Sequence, residues 1–337
     1  MCSIEEDVAK KLHVSEDKKC CKCKTSRSTI LIRHNELCKE CFVYQMYSKY
    51  KTIVTKCNVT KNVLIAFSGG FCSRAMVHLS MKPYREDPAR RKMLDFTMCF
   101  VDDRFINDFD DASEDMYKEL ATMSKAQFCD YAKSCFNLKD DEIKAFLINN
   151  PYLYQSVIRR IIVEKAKEAS CSFALFGDSA TKTAANILAN VSDGRGFSLP
   201  LDTGISDPSE QNLMIVRPMS DHIEKEISLY CHFEGLKPSE YFVKDSSTNT
   251  HSLTMNFIRG LDKDFPSTVS TVVRTGLKVT TGIINSTNPC CKFCGRKRQG
   301  NDSEWSKAIT IASISKEAVE NSHTDGDVCF GCIRMKK

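Results

Sequence analysis

The chain is 337 residues long and 42% hydrophobic, enough to bury one full-sized core and to carry smaller segments at either end. Its 48 basic and 43 acidic side chains leave only +5, so any footprint for nucleic acid has to come from local patches. No apolar run approaches the length of a membrane span, and the acidic opening Met1-Cys2-Ser3-Ile4-Glu5-Glu6-Asp7 lacks the basic start and apolar stretch of a secretory signal. A cytosolic or nuclear location without membrane contact is therefore expected, where the 18 cysteines serve as thiols or metal ligands before disulfides.

In chain order, the first signal is a pair of Cys-x-x-Cys turns, Cys20/Cys23 and Cys38/Cys41, separated by a basic segment over 24–37. A breaker-free run over 42–56 predicts a helix leading out of this segment. A short apolar run over 62–67 reads as a buried parallel strand, which ends at Ser68-Gly69-Gly70 and hands over to a helix over 72–81. A second buried strand is expected over 94–101, ending in Asp102-Asp103, followed by helices over 113–123, 139–149 and 151–169. A third strand over 172–177 gives way at Asp178-Ser179 to a helix through Ala189. Strands alternating with helices predict a parallel sheet covered on both faces, with right-handed crossovers and a Rossmann-like α/β fold.

The Gly-, Ser- and Asp-rich stretch over 191–207, centred on Asp193-Gly194-Arg195-Gly196, reads as a mobile loop. A further strand over 213–218 ends in Arg217-Pro218, and a capped helix is expected from Ser220-Asp221. The Ser/Thr-rich stretch over 246–254 suggests a boundary, giving an N-terminal module over 1–57, an α/β domain over 58–245 and a C-terminal region over 246–337. That last region holds two more Cys-x-x-Cys turns, Cys291/Cys294 and Cys329/Cys332.

A Cys-x-x-Cys turn aims two thiolates at one ion, and two such turns close a four-thiolate site without an open position. Two zinc sites are expected, one at each end, each stapling a small segment. Iron stays open as the alternative, since four thiolates suit either metal. Cys21, Cys290, His34 and His323 stand close enough to leave the ligand choice open. The isolated Cys57, Cys99, Cys129, Cys135, Cys171 and Cys231 read as small core residues. Trp305, between the last two turns, reads as packing for the C-terminal knuckle.

Ser68, Gly69, Gly70 and Ser73 leave a strand and open a helix, so their backbone N–H groups are expected to face an anion. Ser68-Gly69-Gly70-Phe71-Cys72-Ser73 is no Walker loop but resembles the Ser-Gly-Gly-x-Asp-Ser loop of the ATP pyrophosphatase (PP-loop) family, whose members adenylate a carbonyl or ureido oxygen. With the terminal Cys turns, Arg217-Pro218 and the stretch from Phe265 to Gly276, the chain resembles the cytoplasmic tRNA 2-thiolation protein 2 family from Cys20 to Cys332.

That resemblance implies a cytoplasmic subunit that pairs with a catalytic homologous thiolase, binds tRNA, and helps place sulfur on position 2 of the wobble uridine. The sulfur arrives on a thiocarboxylated ubiquitin-related modifier. It also implies weakened ATP and magnesium chemistry. Cys72 stands where active members have the loop acid, and Tyr152-Leu153-Tyr154-Gln155-Ser156 stands where they have Cys-x-x-Cys-Gly ahead of a paired-arginine helix. Gly177-Asp178-Ser179-Ala180-Thr181-Lys182 replaces a stretch with tandem acids. A thiolase active alone and a zinc-stabilised scaffold without an RNA role are the alternatives.

For tRNA, basic residues on the Cys segments are the expected phosphate contacts: Lys22, Lys24, Arg27 and Arg33 at one end, and Arg296, Lys297 and Arg298 at the other. Lys18 and Lys19 add to the first group, and Arg334, Lys336 and Lys337 to the second. Of Arg159-Arg160, on a helix with apolar neighbours, one is expected to anchor an acidic core partner.

Overall fold

The N-terminal hairpin pairs β1 (Ile30–Ile32) with β2 (Asn35–Leu37), and it turns tightly through Arg33 and His34, both in the left-handed region. It delivers Cys38 to the start of α1 (Lys39–Lys56). This computed structural model describes residues 18–87, 94–103, 122–123, 125–136, 140–237, 249–279, 288–298, 327–329 and 331–332.

The main unit continues with β3 (Lys61–Ala66), α2 (Phe71–Glu86), β4 (Leu94–Cys99), α3 (Lys125–Phe136), α4 (Asp140–Asn149) and α5 (Pro151–Glu168). Next come β5 (Phe173–Leu175), α6 (Ala180–Ser192), α7 (Leu199–Thr203), β6 (Ser206–Glu210), β7 (Leu213–Val216) and α8 (Glu224–Phe233). Helices α9 (Thr250–Asp264) and α10 (Thr268–Gly276) follow. The strands form one sheet in the order β4-β3-β5-β7-β6, parallel except for β6. The expected α/β class is thus the observed one.

Alternation along β3 divides the core. Val63 and Ile65 face a cluster with α1, α2, α8 and the N-terminal hairpin, while Leu64 faces the opposite cluster with α3, α4, α5 and the C-terminal cysteines. A third cluster joins α6 to α9 and α10. Each Cys segment therefore shares its apolar residues with one face of the α/β unit, the N-terminal one on one side of the sheet and the C-terminal one on the other.

Several expectations need correction. Helix α2 runs past residue 81, through Pro83 in its last turns, because Tyr84 beyond the proline packs edge-on against Phe96 and accepts the Leu94 N–H at 3.3 Å. Strand β4 is the sheet edge and leaves Met98 43% exposed, so it is less buried than its apolar run suggested. The expected loop over 191–207 holds α7 and the start of β6 instead. Pro200 suits a first helical turn, Thr203 donates back to the Leu199 carbonyl at 2.9 Å, and Ser198 donates to Asp202 at 2.8 Å. Pro208 is tolerated in β6 because that strand is an edge with a register shift between Asp207 and Glu210. Helix α8 starts at Glu224 and not at Ser220, because Ser220 and His222 donate into tight turns with the carbonyls of Arg217 and Met219. The helix expected over 113–123 and Trp305 lie outside the described residues, apart from Thr122 and Met123, the latter bridging Val101.

The N-terminal segment is pinned to α8 by charge. Glu226 is 1% exposed and accepts from Arg33 at 3.1 Å and Lys49 at 3.0 Å, while also taking the Ile223 N–H at the helix start. Removing it leaves Arg33 and Lys49 to the Asp221 carbonyl nearby and strands the Ile223 amide. Glu226→Ala is expected to lower unfolding stability by about 2–3 kcal/mol in urea titrations, the scale of charge-assisted hydrogen bonds lost in a buried site.

Candidate functional site

Connections from β3 and β5 leave toward opposite edges of the sheet, so a crevice opens at the carboxyl ends of these neighbouring strands. Ser68, Gly69 and Gly70 leave β3 there. Gly69 takes φ 77, which a side chain would resist, and Gly70 caps α2. Ser73 donates to the Gly70 carbonyl at 3.0 Å and accepts from Ser68 at 3.3 Å. On the β5 side, a Cβ added to Gly177 would stand 3.4 Å from the Ser73 backbone, so the two loops nearly touch. The cleft between them measures about 570 Å³, and the structure brings Ser68, Gly70 and Ser73 to its wall.

Asp103, Asp178, Asp193 and Asp202 bring carboxylates to the remaining wall, and Cys72 lies just behind it on the loop. Burial pushes the Cys72 thiol far up, and the Asp178 carboxylate adds to the shift, so the residue in the loop-acid position is a neutral thiol at physiological pH. Asp178 meets Lys182 at 2.8 Å and Arg217 at 3.4 Å. Burial opposes its ionisation, but the two cations outweigh it and hold the carboxyl below its usual range. Lys182 is pushed up in turn by Asp178. Tyr152, Tyr154 and Gln155 line the cleft where the resemblance implies thiolates in active members. Burial, with Asp202 beside Tyr152 and Asp103 beside Tyr154, keeps both phenols protonated.

Both expected four-cysteine sites assemble. Cys20, Cys23, Cys38 and Cys41 form one tetrad and Cys291, Cys294, Cys329 and Cys332 the other, with all sulfurs of each within 4.8 Å. Locally, Lys24 N–H donates to the Cys20 carbonyl at 2.9 Å and Gly295 N–H to the Cys291 carbonyl at 2.8 Å. Lys24 and Gly295 both take positive φ, so the two turns fold alike. Sulfurs of Cys23 and Cys38 lie 3.9 Å apart, and those of Cys294 and Cys329 lie 3.7 Å apart. A tetrahedral ion with sulfur at about 2.3 Å sets sulfurs roughly 3.8 Å apart, so each tetrad can hold a single metal ion. Thr25 and the Ser26 backbone lower Cys23 to about 5, favouring the thiolate that a metal takes. Cys21 and Cys290 are exposed and stand outside the tetrads, as does His34, while His323 lies outside the described residues.

The basic residues separate. Lys22, Lys24 and Arg27 are exposed, as are Lys18 and Lys19, although Lys18 pairs with Glu36 at 2.7 Å. Arg33 is turned toward Glu226. Arg296, expected as a phosphate contact, is 5% exposed and pairs with Asp202 at 2.5 Å and Asp207 at 2.7 Å, so two carboxylates already match its charge. Lys297 and Arg298 are half-buried beside it, while Arg334, Lys336 and Lys337 lie outside the described residues. Arg159 does anchor an acidic partner, meeting Asp207 at 3.0 Å and Glu210 at 3.1 Å.

The family model described as Cytoplasmic tRNA 2-thiolation protein 2 matches residues 249–334. A relative of that name from Schizosaccharomyces pombe is 25% identical, covering 94% of this chain and 92% of its own, and one from Danio rerio is 26% identical over 83% and 72%. The chain is thus similar to cytoplasmic tRNA 2-thiolation protein 2 over most of its length. In fold it is similar to a solved structure titled U34-tRNA thiolase NcsA from Methanococcus maripaludis with its [4Fe-4S] cluster, with a TM-score of 0.63, 19% identity, and 88% and 98% of the two chains covered.

What the sequence did not reveal is the buried charge between cleft and C-terminal tetrad. Asp207 is fully buried, and Asp202, Glu210 and Arg195 join it from the stretch read as a loop or just beyond it. The one available signal was acidic residues following an arginine-paired helix by roughly one crossover. Burial opposes ionisation of Asp207, but Arg296 and Arg159 hold its carboxyl well below the usual range. A depressed folded value means its stabilisation is complete above the unfolded carboxylate value, about 4, and fades as pH falls toward the folded one. Asp207→Asn is expected to cost about 3 kcal/mol at pH 7 by urea titration, and to flatten the loss of stability below pH 4 seen in the parent.

Proposed function

We propose that this chain is a cytoplasmic, non-catalytic subunit of the machinery that places sulfur at position 2 of the tRNA wobble uridine. It works as a heterodimer with a catalytic homologous thiolase, and the sulfur reaches the pair on a thiocarboxylated ubiquitin-related modifier. The names of its relatives support the tRNA 2-thiolation role and the compartment. Among the described residues no helix is long and apolar enough to cross a membrane.

One observation carries the division of labour. The crevice keeps its phosphate-loop shape, but the Asp178–Lys182 ion pair and the protonated Cys72, Tyr152 and Tyr154 stand where adenylation and sulfur transfer need acids and thiolates. Magnesium is held by carboxylate oxygens with lone pairs to spare, and sulfur moves as thiolate. Ser68, Gly69, Gly70 and Ser73 remain a degenerate anion cradle in this reading. The tetrads hold zinc, supported by sulfur separations that suit one tetrahedral ion. A four-iron cluster carries its cysteine sulfurs on the outside of a larger cage. When bound, zinc supplies structural cross-links. The tRNA surface is Lys22, Lys24 and Arg27, with Lys297 and Arg298 at the other tetrad, in phosphate contacts that weaken with salt.

The test is nucleoside mass spectrometry on bulk tRNA from cells lacking the chain, rescued with the parent or with Ser73→Ala. Loss of wobble 2-thiouridine, restored by both, is the expected result. Rescue by the parent alone would return a working nucleotide site to this subunit, and unchanged thiolation in the deletion would remove the proposed role. Purified chain with tRNA and ATP is expected to form no AMP until the homologous partner is added.

A further inference from the structure

The two tetrads differ in their surroundings. At the N-terminal tetrad Cys20 and Cys38 are buried but Cys23 and Cys41 are half-exposed, so water reaches two of its sulfurs. At the C-terminal tetrad only Cys329 is half-exposed, and Cys291, Cys294 and Cys332 are at most 2% exposed. Four thiolates around a divalent ion leave two net negative charges, and burying them without a counter-charge is costly. Arg195, itself 4% exposed, directs both terminal nitrogens at the Cys332 sulfur, at 3.7 and 3.6 Å. Its guanidinium also lies 3.6 Å over the Tyr152 ring of the cleft wall. The backbone accommodates it: a Cβ on Gly331, between the last two cysteines, would stand 2.7 Å from the Arg195 Cγ. No comparable buried cation meets a sulfur of the N-terminal tetrad among the described residues.

We propose that Arg195 is the outer-shell cation of the C-terminal metal site, a positioning residue that donates to the Cys332 thiolate and offsets the buried charge of the tetrad. Its fork fixes the direction of one ligand, and Gly331 keeps room for it. Partners of this kind typically contribute about ten- to a hundredfold in metal affinity. The inference rests on the reading that the C-terminal tetrad binds a metal.

The experiment uses the full chain carrying Cys20→Ser and Cys23→Ser, so that only the C-terminal site loads. Zinc release to a chelating dye and the thiolate-to-metal charge-transfer band of the cobalt-loaded chain are then measured. Adding Arg195→Met is expected to weaken zinc retention about tenfold or more and to move the cobalt band to lower energy, since hydrogen bonds lower the energy of sulfur donor electrons. Arg195→Lys, which keeps the charge without the fork, is expected to fall between. In the chain with all cysteines present, only one of two release phases should quicken with Arg195→Met. An unmoved band and unchanged release would overturn the inference, as would equal quickening of both phases. A chain lacking Cys20 and Cys23 that takes up no metal would remove the metal reading itself.

Discussion

Asp207 is fully buried on an edge strand, and it is held by guanidinium groups from two separate parts of the chain, Arg159 on α5 and Arg296 just past Cys294. Arg296 also takes Asp202, Arg159 also takes Glu210, and Lys167 reaches Glu210 at 3.0 Å, so three anions are matched by three cations. A charge at this depth is tolerable only when paired. That constraint joins the C-terminal tetrad, the β6–β7 hairpin and the cleft wall into one unit. It also explains why α7 and β6 form in a stretch whose composition suggests a loop: their acids are matched by cations from α5 and the C-terminal segment.

The shape of the cleft is set by the backbone. Its position follows from strand order, and the Ser68–Ser73 loop packs beside Gly177, where an added Cβ would stand 3.4 Å from the Ser73 backbone. Neither depends on which side chains occupy the loops. Cys72 sits in this scaffold as a half-buried neutral thiol and Lys182 as the partner of Asp178.

The parallel strands, the glycine turn after β3 and the two cysteine tetrads were legible in the sequence because each rests on short-range pattern: apolar runs, paired glycines, and two-residue spacing between thiols. A basic residue beside a Cys turn has the same local signature whether it faces water or an acid, and only the structure turns Arg296 toward Asp202 and Asp207. Glu226 and His222 gave no signal, since the former's cations lie in the N-terminal segment and the latter's Nε2 meets the Met46 carbonyl, both far away in sequence.

By itself the sequence determined the α/β class, the loop that opens the cleft and which cysteines pair into tetrads. Those are properties of residue type and local spacing. Only the tertiary structure decided which charges are buried, that the Cys tetrads lie against opposite faces of one sheet, and that Arg195 and Arg296 turn inward. The physical reason is that the cost of burying a charge depends on partners contributed from distant segments, and folding alone brings those together.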